Sequence, residues 1–358
     1  MDRKKLLLIY LGSSSVLILL GLLMIFSASS ALAHDRFGTP YFFLLRQILF
    51  LLVSIISFLF IVAKVDTEHM KKLSFPILVL SLVLLILPLL PKIGYEAGGA
   101  RRWIRIWCFS FQPSELFKLV FVLYLSSYMS RGKDRIAPPL IILVLSSLLL
   151  LKEPDFGSVI FLVILFFLCL FSGGMRLKKF TLPALAFPSV LLILIKSKGY
   201  RMERFLGFID PWRYKSSYGY QLVQSFISFG SGGLFGKGLG CGTEKLFFLP
   251  EPHTDFIFAV IGEELGFIGV LGVVVLYWFF FYSGYMLSKL ARKRFSSILI
   301  LNLTMMITLQ ALIHMCVNLG LLPPKGIPLP FISYGGSSLL INMVSLGIVV
   351  RSVLEDEG

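Results

Sequence analysis

Leu249-Pro250-Glu251-Pro252-His253-Thr254-Asp255-Phe256-Ile257-Phe258-Ala259-Val260-Ile261-Gly262-Glu263-Glu264-Leu265-Gly266 places four carboxylates and a histidine at the mouth of an apolar stretch that continues to Ser288. As a helix rising ~1.5 Å per residue, Leu265 to Ser288 is long enough to cross ~30 Å of hydrocarbon. Asp255 is therefore expected near a membrane surface and Glu263 and Glu264 close to lipid depth, where ionisable groups are candidates for function. Two alternatives compete. Asp255 follows Thr254 at a helix start, where a carboxylate can cap free N–H groups and favour the dipole. Glu263 and Glu264 point about 100° apart on a helix, so ion pairing with basic residues stands against a polar site.

The rest of the chain extends the membrane reading. Hydrophobic residues make up 57% of the 358 positions and charged residues 15%, with a mean hydropathy of +0.87. This excludes an ordinary soluble domain. Apolar runs near 6–28, 41–63, 73–91, 113–129, 137–152, 155–173, 180–196, 264–288, 297–319 and 335–353 predict an all-α polytopic membrane protein, a single transmembrane domain over 1–358. About ten transmembrane helices result, with a long outer loop, about 197–254, between the seventh and eighth. Met1 to Lys5 lead into a full-length span, so the first helix is expected to stay as an anchor rather than be cleaved. Ser13-Ser14-Ser15 within it suit close helix packing. Cys108, Cys169, Cys241 and Cys316 show no CxxC spacing, and the four histidines form no HExxH, so no zinc site or disulfide framework is indicated.

Basic residues recur after every second span, at Arg3/Lys4/Lys5, Lys64/Lys71/Lys72, Arg131/Lys133/Arg135, Arg176/Lys178/Lys179 and Lys289/Arg292/Lys293/Arg294. They predict cytoplasmic loops and two cytoplasmic termini, with 92–112, 197–254 and 320–334 on the outer side. Yet those outer loops are also basic, carrying Arg101, Arg102, Arg105, Arg201, Arg204 and Lys237 among others. Either an anionic ligand such as a lipid phosphate or pyrophosphate, or general attraction to anionic headgroups, accounts for them. Nucleic acid is not an expected partner, since no basic soluble domain exists to carry it.

Several polar stretches interrupt the apolar frame. Arg46 and Gln47 enter the second span at its outer end, where an arginine either snorkels or joins a site. Gly98-Gly99-Ala100-Arg101-Arg102-Trp103-Ile104-Arg105 precedes Gln112-Pro113-Ser114-Glu115-Leu116-Phe117-Lys118, in which Pro113 suits a first helical position. Glu115 and Lys118 share a face at i, i+3. They either neutralise each other or leave Lys118 to hold a phosphate. Glu153-Pro154-Asp155-Phe156-Gly157 is too tight for an ordinary loop, and Asp155 either caps the sixth span or lines the same cavity as Asp255. Gly230 to Gly240 resembles a phosphate loop only superficially, for Ser231 stands where a first glycine should and Gly238 replaces the needed Ser or Thr. Its flanking Phe226 and Phe229 suggest an interfacial or re-entrant segment. Pro323, Pro324, Pro328 and Pro330 forbid regular helix before Ser333, Gly335 and Gly336, which either present N–H groups to an anion or simply pack tightly.

Taken together, GARRWI (Gly99 to Ile104), FQPSELFK (Phe111 to Lys118), EPDFG (Glu153 to Gly157), GYQLVQS (Gly219 to Ser225), LPEPHTDFIFAVIGEELG (Leu249 to Gly266) and GLLPPKGIPLPFISYGGSS (Gly320 to Ser338) make the chain resemble the SEDS family (shape, elongation, division and sporulation), the FtsW/RodA/SpoVE group, over essentially its whole length. The resemblance implies a peptidoglycan glycosyltransferase that polymerises lipid II at the outer face of the bacterial cytoplasmic membrane, with a class B penicillin-binding protein transpeptidase and other division or elongation membrane proteins as partners. It implies that Asp255 is the essential acidic residue and that Glu115 and Lys118 are functionally important. Arg101-Arg102-Trp103, Asp210-Pro211-Trp212 and the run from His253 to Ala259 look more like the division branch, hence the septum. Ile327 to Phe331 is closer to the elongation or sporulation members.

The chemistry fits these residues. A lipid-pyrophosphate donor must lose its pyrophosphate while an acceptor 4-hydroxyl attacks, which calls for cations at the leaving group and a base at the hydroxyl. Asp255 is the expected base. The expected substrate-facing set is Arg46, Arg101, Arg102, Gln112, Ser114, Glu115, Lys118, Asp155, His253, Glu263, Glu264, Ser333 and Gly335. No cofactor is required, though a divalent cation, Mg or Mn, has room to share the diphosphate. A lipid II flippase, which broken helices and membrane carboxylates would also suit, and a scaffold that only recruits the transpeptidase remain open alternatives.

Overall fold

The computed structural model describes residues 2–91, 93–97, 100–106, 109–133, 135–179, 181, 185 and 199–356. Its helices are α1 (Arg3–Phe37), α2 (Phe42–Lys64), α3 (Thr67–Leu84), α4 (Pro113–Ser130), α5 (Ala137–Lys152), α6 (Phe156–Ser172), α7 (Gly199–Ile209), α8 (Tyr220–Gly232), α9 (Ile257–Leu290), α10 (Arg294–Asn318) and α11 (Gly336–Glu355). Among the described residues, α1, α2, α3 with its following turn, α9, α10 and α11 are long and apolar enough to cross a membrane, and α5 and α6 are shorter apolar helices. The predicted seventh span, 180–196, lies almost wholly outside the described residues.

Burial sorts the helices into a centre and a lipid-facing rim. α4, α10 and α11 are buried along most of their length, whereas α2 leaves Leu45, Leu49, Leu52, Ile56, Leu59 and Phe60 exposed. Lipid tails are as apolar as leucine, so close approach and interhelical hydrogen bonds must hold the centre together. Tyr10 of α1 stacks on Phe280 of α9 with centroids 4.3 Å apart and shares a hydrogen bond with Thr304 of α10 at 3.2 Å. Of the three serines expected to serve packing in α1, Ser13 and Ser14 are buried and return their hydroxyls to the Tyr10 and Leu11 carbonyls, whereas Ser15 is exposed.

Both chain ends lie at the same end of the bundle. Arg3 donates to the Leu290 carbonyl at the close of α9, Glu355 accepts from Thr67 at the start of α3, and Asp356 accepts from the Arg292 backbone. Loops 92–112, 197–254 and 320–334 gather at the opposite end, where they wall one cavity.

Two features depart from the expected helices. Inside the 92–112 loop, β1 (Gly94–Ala97), β2 (Ala100–Ile106) and β3 (Phe109–Phe111) form an antiparallel sheet in the order β1-β2-β3. Ala97 pairs with Ala100 across the Gly98-Gly99 link, and a register shift falls between Tyr95 and Glu96. A two-residue Gly-Gly link is a hairpin signal, masked in sequence because Glu96, Arg101, Arg102 and Arg105 interrupt the apolar alternation on either side. The all-α expectation thus holds for the membrane-crossing helices and is corrected in this outer loop.

The second departure is a break in α9 at Gly266, at φ 67 and ψ −164, which divides a short half-helix from the main span. The 233–238 segment pairs with this break. Phe267 and Ile268 donate to the Gly233 and Leu234 carbonyls, and Lys237 and Gly238 to those of Glu263 and Glu264. A Cβ on Gly266 would meet the Gly236 nitrogen at 2.3 Å, so only glycine fits there.

Candidate active site

Asp255 ends the turn that leads into α9. Glu251, in left-handed backbone at φ 51, aims its carbonyl at the amides of Thr254, Asp255 and Phe256, which donate at 3.3, 3.2 and 3.3 Å. A side-chain-bearing residue holds that conformation only where its surroundings enforce it. Asn318 at the end of α10 clamps the turn from below, donating to the Asp255 carbonyl at 3.0 Å and accepting from the Ala259 amide at 3.1 Å. Ser333 donates to the Thr254 carbonyl at 2.7 Å while accepting from Leu329, and the Tyr334 amide donates to the His253 carbonyl at 2.9 Å. All of these bonds grip main chain. The Asp255 carboxylate has no hydrogen-bond partner among the described residues, and no side chain caps α9, so the capping alternative does not describe Asp255.

That carboxylate opens on a cavity of about 570 Å³ whose charged lining is Arg46, Arg102, Arg204 and Lys325 with Glu251 and Asp255. A lobe of about 70 Å³ shares Arg102, Arg204 and Lys325 and adds Arg201 and Asp155. Arg102 is anchored through the 153–154 turn, donating to the Pro154 carbonyl at 2.6 Å and the Glu153 carbonyl at 3.4 Å, with Asp155 3.7 Å away. Arg46 lies over the Phe42 ring and hydrogen-bonds Tyr334. Lys325 is half-buried, and its ammonium has no hydrogen-bond or ion partner among the described residues. The start of α11 completes the wall: Gly335, Gly336, Ser337 and Ser338 line the cavity. A helix N-terminus carries free N–H groups and the positive end of the dipole, which suits an anion.

Burial shifts the charges of this site. It pushes the Asp255 carboxyl up to about 7, helped by the Glu251 charge and opposed by Arg102 and Arg204. Burial brings the Lys325 ammonium down to about 8. Glu153 is wholly buried with neither carboxyl oxygen partnered, and burial with the Asp155 charge raises it to about 9, so it is neutral at pH 7. His253, buried between Phe43 and Tyr334, is held below its usual range by burial.

Among the residues expected at the substrate, the structure brings Arg46, Arg102, Gln112, Gly335 and Asp255 to the cavity wall and Asp155 to the adjoining lobe. Asp155 also caps α6 through Ser158, so the capping alternative holds, and it lines the lobe rather than the cavity wall that holds Asp255. Ser333 and His253 support the Asp255 turn instead of lining the cavity. Arg101 is exposed and absent from the wall, which Arg102 and Trp103 both line. Ser114 is buried with its hydroxyl unpartnered.

Glu115, Lys118, Glu263 and Glu264 line neither the cavity nor its lobe, and each acid has its own cation. Lys118 pairs with Glu115 at 2.7 Å, both buried, and lies over the Phe161 ring. Glu263 binds Lys237 at 2.8 Å and the Thr243 amide at 2.8 Å, while Glu264 binds Lys245, Ser27 and the Gly240 amide. The polar-site expectation for these acids gives way to ion pairs that fasten 237–245 to α9. Sequence patterns alone do not single out Arg204, Lys325, Gln221 or Tyr334 as wall residues. The available signal is that Arg204 and Lys325 are cations in loops expected to share one side.

A prediction follows from the Lys118 pairing. Lys118→Ala leaves a buried Glu115 carboxylate without its cation and is expected to cost about 3–5 kcal/mol of stability, read as a lower melting temperature in detergent. The double variant Glu115→Gln/Lys118→Met is expected to recover most of that loss. A single variant that melts like the wild type but uses substrate poorly would return Lys118 to the substrate.

Among the described residues no cluster of three or more His, Cys, Asp or Glu side chains is present. The chain is 42% identical over 354 residues to a probable peptidoglycan glycosyltransferase FtsW of Nitrosococcus halophilus, covering 96% of this chain and 91% of that one. It is 39% identical over 340 residues to the protein of the same description from Trichlorobacter lovleyi, covering 92% and 88%. A solved structure describing the structural coordination of polymerization and crosslinking by a peptidoglycan synthase complex superposes with a TM-score of 0.80 at 26% identity, covering 97% of each chain. Thermus thermophilus rod shape determining protein RodA superposes at 0.71 with 25% identity, covering 98% and 97%. Matched from residue 6 to 357, the chain belongs to the FtsW/RodA/SpoVE family of cell cycle proteins.

Proposed function

We propose that this chain is a peptidoglycan glycosyltransferase of the inner membrane that polymerises lipid II, with Asp255 as the general base. The observation that carries the reading is a hydrogen-bond-free carboxylate, raised to about 7, on the wall of a cavity otherwise charged by Arg46, Arg102, Arg204 and Lys325. Asp255 takes the proton of the acceptor 4-hydroxyl as that oxygen attacks the anomeric carbon of the donor. The bond from that carbon to the diphosphate oxygen breaks, and the lipid diphosphate leaves as an anion that needs no proton. Arg102, Arg204 and Lys325 hold it, and the α11 N-terminus adds unpaired N–H donors. A divalent cation travelling with the diphosphate would supply further positive charge, and Glu251 and Asp255 are the carboxylates within its reach on this wall.

The cavity belongs at the outer face of the membrane, with both termini in the cytoplasm. The basic loops at the end of the bundle that holds Arg3 and Asp356 support this orientation. The relatives described as FtsW support a role in the division septum. Likeness to a synthase complex that couples polymerization to crosslinking supports a class B penicillin-binding protein transpeptidase as partner.

The test is purified protein, with and without such a transpeptidase, given labelled lipid II and resolved by gel. Glycan strands are expected. Lipid II movement across vesicles without any strand would overturn the enzyme in favour of the flippase.

A further inference from the structure

A second cavity, of about 590 Å³, lies at the other end of α4 from the active site, lined by Phe75 of α3, Tyr124 and Tyr128 of α4, and Arg131, Lys133 and Arg135 of the connection to α5. Tyr124, the cavity's lining residue on α4 nearest the active site, lies ~18 Å along the helix from Gln112 on the active-site wall. It belongs to neither the catalytic cavity nor its lobe, and among the described residues no carboxylate lines it. In sequence the connection carries three cations against one acid, Asp134, which lies outside the described residues.

The three cations are exposed, and the connection that carries them is tied to α4 and α3. The Tyr128 hydroxyl donates to the Arg135 carbonyl at 2.7 Å, and the Lys133 ammonium rests over the Tyr128 ring, 5.4 Å from its centroid. Arg131 and Ser127 both donate to the Lys71 carbonyl, at 3.3 and 3.0 Å, which ties the connection to α3. Phe75 of α3 and Pro138 of α5 both line the cavity. Each of these helices also leaves apolar residues open to the bilayer, Phe75, Val79 and Leu80 on α3 and Ile141, Val144 and Leu148 on α5. A basic pocket between membrane helices that carry exposed apolar residues suits an amphiphilic anion: cations and hydroxyls for the headgroup, hydrocarbon for the chain. A soluble anion would use the cations and leave the apolar residues unused.

We propose that this cavity binds the phosphate headgroup of an anionic membrane lipid, with an acyl chain lying against the exposed apolar residues of α3 and α5. It is a structural or regulatory lipid site, separate from the substrate cavity. The test is native mass spectrometry of the purified full chain titrated with phosphatidylglycerol, with phosphatidylcholine and with inorganic phosphate. One equivalent of phosphatidylglycerol is expected to bind preferentially. The variant Arg131→Ala/Lys133→Ala/Arg135→Ala is expected to weaken it by about tenfold or more, whereas Arg292→Ala/Lys293→Ala, exposed cations at the same end of the bundle, leaves it unchanged. Equal losses in the two variants would mean general surface attraction and overturn the site. Displacement of the lipid by millimolar inorganic phosphate would assign the cations to a soluble anion and overturn the lipid. Phe75→Trp in otherwise unaltered protein gives an independent readout: quenching by brominated phosphatidylglycerol, saturating at one equivalent, is expected, and unsaturable quenching identical with brominated phosphatidylcholine would contradict the proposal.

Discussion

Asp255→Asn is expected to lower glycan polymerisation by about 10²–10⁴-fold, the usual worth of a positioned base, with little change in fold. Neither half of that expectation depends on sequence likeness. The local bonds run through the backbone: Asn318 donates to the Asp255 carbonyl, and Glu251 accepts from its amide. An amide in place of the carboxylate removes no hydrogen bond among the described residues and relieves a buried charge, so melting temperature and partner binding are expected to hold. The loss belongs in kcat, because the proton moves only in the transition state. Asp255→Glu tests position as well as charge. The extra methylene carries the carboxylate about 1 Å from where Asp255 holds it, so the longer acid is expected to restore only part of the rate. Strand synthesis by Asp255→Asn at the wild-type rate would remove the base from the mechanism.

Lys325→Gln is the second large effect. Two other wall cations have structural attachments, Arg102 to the 153–154 turn and Arg46 to Tyr334, so their loss would mix binding with local disorder. Lys325 has no partner to strand among the described residues. Charge-assisted bonds to an anion are worth about 1.5–3 kcal/mol, so kcat/KM is expected to fall about 10–100-fold with an unchanged melting temperature. A lysine brought down to about 8 by burial also loses its proton as pH rises above that value. The cationic form holds the diphosphate, so wild-type kcat/KM is expected to decline above about pH 8. The glutamine variant lacks that decline. An alkaline limb that survives Lys325→Gln would place the titration elsewhere.

How much of this was legible in the sequence follows from what each feature rests on. The spans are readable because apolar length is a requirement of the bilayer itself, and the end-to-end charge pattern groups loops 92–112, 197–254 and 320–334 before any contact is known. Asp255 stands out because an acid at the mouth of a span is costly. The partners of Glu263 and Glu264 were not legible: Lys237 and Lys245 lie some twenty residues upstream in a loop without periodicity, and only the fold at Gly266 brings them under α9. Glu115 and Lys118 reveal their pairing by spacing, but not that both face the bundle interior. The β1–β3 sheet was hidden because Arg101, Arg102 and Arg105 interrupt the apolar alternation that marks a strand. Arg204 and Lys325 become wall residues only when α7 and the proline-rich loop meet over Asp255.

The central claim is that a carboxylate with a raised proton affinity drives glycosyl transfer. The direct measurement is the pH dependence of kcat/KM for lipid II polymerisation, which reports ionisations of the free enzyme. A base must be deprotonated to act, so the rate is expected to climb as pH rises through about 7, the value to which burial brings Asp255, and to lose most of its activity by one to two units below. A rate that stays level from pH 5 to 7.5, or climbs with its midpoint near 4 as for a solvent-exposed carboxylate, would contradict the account.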